Sequence, residues 1–194
     1  MGRSERVKQV NAYAMNYGLW FGLWWLLGFV WLVWGYSGTS LLHTLFLLQI
    51  VSVPFVGVWF CLRFRREVEA DGRVRFGEAY LFSVLLYLYA GLILAIGMWC
   101  YLRFLDGGQF VAEQIAAIES LTEEQMPGWT ELRAGLDASV AELGYEDVTE
   151  WMHERLSAAG MSANALCFSM MFGLVIGFLN AAITSSLRRI RVKG

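Results

Sequence analysis

A few polar side chains within long apolar segments are the residues of this sequence best suited to chemistry. A polar or ionisable side chain is costly to place in a lipid bilayer, so its presence there often indicates a binding or transport role. Four such residues reach a similar depth if the apolar segments cross a membrane in alternating directions: Asn16, Glu78, Asn180 and Thr184. One interpretation is that they form a small polar pocket. Interhelical hydrogen bonds, worth about 0.6 kcal/mol each, explain the same residues more simply.

Other residue patterns with known chemistry are weak in this sequence. Glu150 and His153 have the Glu-x-x-His spacing of di-iron sites, but such a site needs two of these motifs and two further glutamates. The sequence has no glycine-rich phosphate loop. Its three cysteines (Cys61, Cys100 and Cys167) have no CxxC neighbour, so they indicate neither disulfides nor zinc. We expect no catalytic residue, no cofactor and no metal site, and hence not an enzyme.

The apolar segments are long enough to cross a membrane. Hydrophobic residues make up 57% of the 194-residue chain and charged residues 16%, and residues 9–62, 79–102 and 157–187 contain no charge. An apolar helix of about 20 residues crosses the hydrocarbon core, and a turn-rich stretch divides the first of these segments. We predict an all-α membrane protein whose residues 1–194 form one domain. Its four transmembrane helices are expected at about 12–34, 41–62, 79–102 and 163–187.

The basic residues indicate an orientation for these spans. Of 15 lysines and arginines, all but Arg103, Arg133 and Arg155 lie before span one, between spans two and three, or after span four. The positive-inside rule places these basic segments in the cytoplasm. Both termini are therefore expected inside, residues 106–162 outside, and the polar pocket at the inner leaflet.

The charged connector between spans two and three is expected to form a short cytoplasmic β-hairpin or a plain turn. The Ala-Asp-Gly of residues 70–72 suits a three-residue hairpin loop, with the glycine in the left-handed position. The resulting register gives complementary cross-strand pairs. These pairs are Glu69 with Arg73, Val68 with Val74, and Glu67 with Arg75.

The outer region is expected to form an extracytoplasmic helical cap over residues 106–162. Its apolar residues recur at helical spacing in three groups. The groups are Val111, Ile115 and Ile118; Leu132, Leu136, Val140 and Leu143; and Val148, Met152 and Leu156. Since each apolar stripe is narrow, we expect it to pack on the ends of the spans, on a second copy, or on a partner.

Small residues recur along the predicted spans at a spacing of four. Such ladders allow helices to approach closely in lipid, where the hydrophobic effect does not drive their association. The helix-packing residues predicted in this way are Gly18, Gly22, Gly173, Gly177, Ala181 and Ser185. They would build either the bundle of one chain or a dimer face.

The segments "VRFGEAY" (74–80) and "LTEEQM" (121–126) stand at recognisable places in this layout. With two spans before the first segment and one after the second, the chain resembles the bacterial family called domain of unknown function 4199. The resemblance covers nearly the whole chain. It implies a small four-span protein of the bacterial inner membrane, and it implies no activity.

These observations favour a non-catalytic structural or accessory subunit in the membrane. Such a subunit would contact the lipid bilayer and a membrane protein partner or a second copy, and no nucleic acid. The alternative is a small lipid-binding or transport protein that acts as an oligomer through the inner-leaflet pocket. A transporter usually has inverted repeats or buried charges in its spans, and this sequence has almost no charge there.

Overall fold

The structure is a computed structural model, and it describes residues 3–36, 40–68, 74–122 and 124–191. Side chains are described for 4–35, 41–68, 74–122 and 124–183. The described residues form helices and connecting turns, without a strand. The elements are α1 (Arg3–Tyr36), α2 (Ser40–Val68), α3 (Phe76–Cys100), a π-helical turn (Tyr101–Leu105), α4 (Gln109–Glu119), α5 (Trp129–Ala141), α6 (Val148–Arg155) and α7 (Ala158–Arg191).

In the described part of the chain, four helices are long and apolar enough to cross a membrane. Each has at least 26 residues, which at about 1.5 Å per residue exceeds a hydrocarbon core of about 30 Å. The segments are Ser4–Gly35, Leu41–Val68, Phe76–Leu105 and Ala158–Ile183. The prediction of an all-α, multi-pass membrane protein with four spans is confirmed.

The predicted β-hairpin is wrong for the residues that the structure describes. Helix α2 continues to Val68, so Glu67 and Val68 are helical, and Val74 and Arg75 lie in an irregular connection. The last turn of α2 is held by Glu67, whose carboxylate accepts hydrogen bonds from Tyr17 at 2.6 Å and from Arg63 at 3.2 Å. A charge-assisted contact to another helix outweighs the weak pairing of an isolated hairpin. Residues 69–73 lie outside the described residues.

The chain divides into two compact units, of which the first contains residues 1–96 and 165–194. Its core is rich in aromatic rings from α1, α2 and α3. Phe64 and Phe82 stack with their ring centroids 4.2 Å apart, and Tyr17 lies 5.3 Å from Phe60. These contacts hold α1, α2 and α3 together, because close aromatic pairs add about 0.5–1.5 kcal/mol beyond the area they bury.

Tyr87 of α3 is a point where all four long helices meet. Its ring lies 5.4 Å from the ring of Phe21 in α1, and its hydroxyl lies 3.5 Å from the Val53 carbonyl in α2. From α7, the Ser169 hydroxyl donates a hydrogen bond to the Tyr87 carbonyl. A Cβ on Gly57 of α2 would collide with the Tyr87 hydroxyl. Since Tyr87 is fully buried, it links the helices from inside the unit.

Four glycines of the predicted ladders lie against α3. A Cβ on Gly18 would come within 2.5 Å of the Tyr89 Cβ, and one on Gly22 within 2.6 Å of the Ile93 Cβ. On α7, the corresponding distances are 3.0 Å from Gly173 to Tyr87 and 3.2 Å from Gly177 to Ser83. Ala181 is fully buried, whereas the side chain of Ser185 lies outside the described residues. These glycines make contacts within one chain.

The second unit contains residues 97–164, and its three short helices share a small core. The buried members of this core are Ile115, Val140, Val148 and Met152. Asp147 caps α6 by accepting a hydrogen bond from the Glu150 amide at 2.8 Å. The apolar stripes predicted from the sequence therefore meet in part within this unit, while Leu132, Leu136 and Leu143 remain exposed.

A hydrogen bond joins Tyr145, which precedes α6, to Glu154 near the end of that helix. The Tyr145 hydroxyl donates a 2.8 Å hydrogen bond to the Glu154 carboxylate. This hydrogen bond, with a smaller contribution from desolvation, raises the pKa of the Tyr145 phenol above its usual range. The contact therefore exists only while the phenol keeps its proton.

Candidate functional site

A cleft of about 700 Å³ lies between the first turns of α1 and α3. Both helices begin at this end of the unit, where their apolar segments start at Ser4 and Phe76. The cleft therefore lies beside the starts of two of the four candidate spans. Its lining residues are Arg6, Val7, Val10, Arg75, Gly77, Glu78 and Leu81.

Glu78 is the acidic residue of this cleft, and both of its carboxylate oxygens are engaged. Oε1 accepts a hydrogen bond from Arg6 at 3.3 Å, and the two side chains form an ion pair. Oε2 accepts a hydrogen bond from the backbone N–H of Arg75 at 2.9 Å. The carboxylate therefore joins α1 to the beginning of α3.

The local sequence explains why Glu78 holds this position. Arg75 precedes α3, and its carbonyl accepts hydrogen bonds from the N–H groups of Glu78 and Ala79 at 3.0 and 3.1 Å. A glutamate three residues into a helix commonly reaches back to the N–H group of the residue before the helix. A carboxylate is also favoured near the positive end of the helix dipole. Glu78 thus has a structural role as well as a place in the cleft.

The charges of the cleft do not balance. Arg6 and Arg75 contribute two positive charges and Glu78 contributes one negative charge. Among the residues that the structure describes, the guanidinium of Arg75 has no hydrogen-bond partner. The cleft consequently carries a net positive charge beside the N-terminus of α3, which favours an anion.

The cleft contains only Glu78 from the predicted polar pocket. Asn16 points out of the bundle on an exposed face of α1, and Asn180 is buried in α7 with 1% of its surface exposed. Neither residue lines the cleft. The side chain of Thr184 lies outside the described residues. A pocket made by all four residues stays a prediction.

Arg6 and Arg75 are the basic residues of the cleft, and neither belongs to the polar pocket predicted from the sequence. In the sequence they indicate only topology, because arginines that flank spans are common in membrane proteins. Arg6 and Arg75 are far apart in the sequence, so the sequence does not show that α1 and α3 begin side by side. The available signal was Glu78, since an acid at the start of an apolar span requires a nearby basic partner.

A second polar group is buried within the bundle, and the sequence does not predict its role. The side-chain amide of Gln49 in α2 donates a hydrogen bond to the Trp24 carbonyl of α1 and packs against Gly28. Gln49 is buried, and its Oε1 has no hydrogen-bond partner within the described residues. Its main role is to join α1 to α2.

The described residues contain no group of three His, Cys, Asp or Glu side chains arranged to hold a metal ion. The fold and the cleft define a small multi-pass membrane protein with four long helices and a helical insertion before the last one. The chain belongs to the family described as "Protein of unknown function (DUF4199)", whose family model matches residues 16–188. No match was found among curated proteins or solved structures.

Proposed function

We propose that this protein is a non-catalytic accessory subunit that binds a membrane partner through its spans. The partner is either a second membrane protein or a second copy of the chain. The observation that carries this proposal is the division of α7 into two unlike faces. One face is narrow, consists of small residues and is buried against α3. The other face is wide, exposed and rich in Phe and Met.

The narrow face of α7 contains Ser169, Gly173, Gly177 and Ala181, and it is buried. The wide face contains adjacent Met170 and Met171, which are 47% and 62% exposed. Further exposed residues on this face are Phe168, Phe172, Leu174, Val175, Phe178 and Leu179. Methionine is flexible and polarisable, and it is over-used at surfaces that adapt to a partner. Phenylalanine adds large contact area.

The test is purification of the full chain in a mild detergent, followed by mass spectrometry of everything that remains bound. We expect a stoichiometric partner or a dimer. The double variant Met170→Ala with Met171→Ala should abolish binding of that partner, or dimer formation. The matched control is Leu47→Ala with Leu48→Ala, an adjacent pair on α2 that is 50% and 61% exposed. Recovery of the unaltered chain as a lone monomer, or equal loss with both double variants, contradicts the proposal.

We also propose an orientation of the chain in the membrane, based on the distribution of its charges. Both termini and the charged connector lie in the cytoplasm of a bacterium, and residues 106–162 form the cap outside the inner membrane. The support is the distribution of 15 lysines and arginines along the chain. In this orientation, α7 would meet its partner within the bilayer, and the cleft at the start of α1 and α3 would open to the inner leaflet.

The cleft favours a second candidate function, that of a small lipid-binding or transport protein. Its net positive charge and its position at the start of two spans suit an amphipathic ligand. The two candidates differ in what Arg75→Gln does. That substitution should leave partner binding through α7 unchanged, and it should weaken retention of a bound lipid.

A further inference from the structure

We propose that the cleft between α1 and α3 binds the phosphate group of an anionic glycerophospholipid, with an acyl chain lying along its apolar wall. This inference rests on the second of the two proposed functions and names the ligand. It also assigns separate roles to the charged and apolar residues of the cleft.

The charged end of the cleft selects a phosphate. Arg75 offers a guanidinium with no partner in the described part of the chain, and Arg6 offers the donors that remain beside its ion pair with Glu78. A guanidinium binds phosphate oxygens through two parallel hydrogen bonds, which are among the stronger polar contacts in proteins. The N-terminus of α3 adds its partial positive charge.

The arrangement disfavours a zwitterionic headgroup. An ammonium group needs an acceptor, and Glu78 is the carboxylate in the lining. Both of its oxygens already accept hydrogen bonds, one from Arg6 and one from the Arg75 N–H. The lining contains two cations and one anion. A lipid phosphodiester whose headgroup carries no positive charge therefore brings the net charge of the occupied cleft to zero. Phosphatidylglycerol therefore fits better than phosphatidylethanolamine.

The apolar end of the cleft follows the direction of the spans. Val10 lies about one helical turn beyond Arg6, and Leu81 about one turn beyond Glu78. Because α1 and α3 both begin at this end, Val10 and Leu81 lie deeper in the apolar region than the charges do. Gly77 leaves the cleft open, since a Cβ there would meet no atom within 4 Å. A headgroup thus lies at the mouth and an acyl chain below it.

The binding test uses the full chain in detergent, with phosphatidylglycerol or phosphatidylethanolamine added, and counts bound lipids by native mass spectrometry. We expect the unaltered protein to prefer phosphatidylglycerol. Arg75→Gln should weaken that binding about tenfold, the effect of losing one strong charge-assisted contact. Arg66→Gln is the matched control, because it removes an exposed arginine of the last turn of α2 that does not line the cleft.

A second variant tests the cleft without changing its charge. Gly77→Leu should block it, and space is available for the new side chain. We expect it to lose phosphatidylglycerol while its thermal unfolding stays normal. Failure of this variant to change lipid binding overturns the proposal even if Arg75→Gln reduces it.

The remaining outcomes also separate the alternatives. Equal retention of both lipids overturns the headgroup inference while leaving a lipid-binding function in place, and retention of neither lipid overturns both. If Arg66→Gln and Arg75→Gln reduce phosphatidylglycerol binding equally, the attraction comes from the overall charge of the protein, and the proposed site is wrong. Competition by inorganic phosphate as strong as that by phosphatidylglycerol would show a site for free phosphate rather than for lipid.

Discussion

The hydroxyl of Tyr17 donates a 2.6 Å hydrogen bond to the carboxylate of Glu67, joining the middle of α1 to the last turn of α2. The guanidinium of Arg63 reinforces this contact. It lies 5.6 Å from the centre of the Tyr17 ring and donates a hydrogen bond to Glu67 at 3.2 Å. Three side chains thereby hold the end of α2 against the middle of α1.

Removing the Tyr17 hydroxyl should destabilise the protein. Tyr17→Phe deletes a hydrogen bond to a charged acceptor, and because Glu67 is partly exposed we expect a loss of about 1 kcal/mol. For a chain of this size the melting temperature should fall by about 2–4 °C, measured by thermal unfolding in detergent. Tyr13→Phe is the control, because the Tyr13 ring also packs against a phenylalanine, Phe64, but its hydroxyl has no hydrogen-bond partner among the described residues. Equal shifts for both variants would refute the role of the Tyr17–Glu67 contact.

Enlarging Gly22 should separate α1 from α3. The Cβ of Gly22→Ala would lie 2.6 Å from the Ile93 Cβ, so the helices must move apart, at a cost of about 1–3 kcal/mol. Thermal unfolding measures the loss. Gly135→Ala, in an open part of α5, is the control and should be neutral or slightly stabilising. If Gly22→Ala instead changed the oligomeric state at constant stability, Gly22 would belong to a dimer face.

Cysteine labelling tests the proposed orientation. Gly77→Cys and Gly135→Cys suit this purpose, because a Cβ at either helical position meets no atom within 4 Å. In a background without Cys61, Cys100 and Cys167, a membrane-impermeant maleimide added to intact cells should label position 135 and leave position 77 unlabelled. Permeabilised cells provide the control for reactivity. Labelling of position 77 alone in intact cells would reverse the topology.

The Tyr145–Glu154 contact should make the helical insertion sensitive to high pH. A raised phenol pKa means that the contact stabilises the fold fully below the ordinary pKa of about 10. That stabilisation is lost as the pH rises through the higher folded-state pKa. Subtracting the tyrosinate absorbance titration of Tyr145→Phe from that of the unaltered protein should isolate the transition. Glu154→Gln should return it toward pH 10, and an unchanged transition would contradict the assigned cause.

Local periodicity and charge predicted most of this architecture. The four spans follow from uncharged runs, and the ladder that contains Gly18 and Gly22 follows from a spacing of four. The hairpin prediction failed because the fate of Glu67 depends on Tyr17, which is 50 residues away in the sequence. The cleft was missed for the same reason, since Arg6 and Glu78 are 72 residues apart and only the neighbouring starts of α1 and α3 bring them together.

The hydrogen bonds made by Gln49 and Ser169 follow from no pattern in the sequence. Each is a single polar residue that bonds to a backbone carbonyl of another helix, Trp24 in one case and Tyr87 in the other. A carbonyl group is present at every position, so the sequence does not identify the acceptor. Only the packing of the helices selects it.

The position of Tyr87 has a consequence for biogenesis. Spans enter the membrane in chain order as synthesis proceeds, so α1, α2 and α3 are present before α7 arrives. Until then, the side of Tyr87 that Ser169 and Gly173 cover faces lipid or another protein. A nascent chain stopped before α7 therefore leaves this side of α3 without the helix that packs on it. Insertion of α7 then completes this bundle and covers that side of α3.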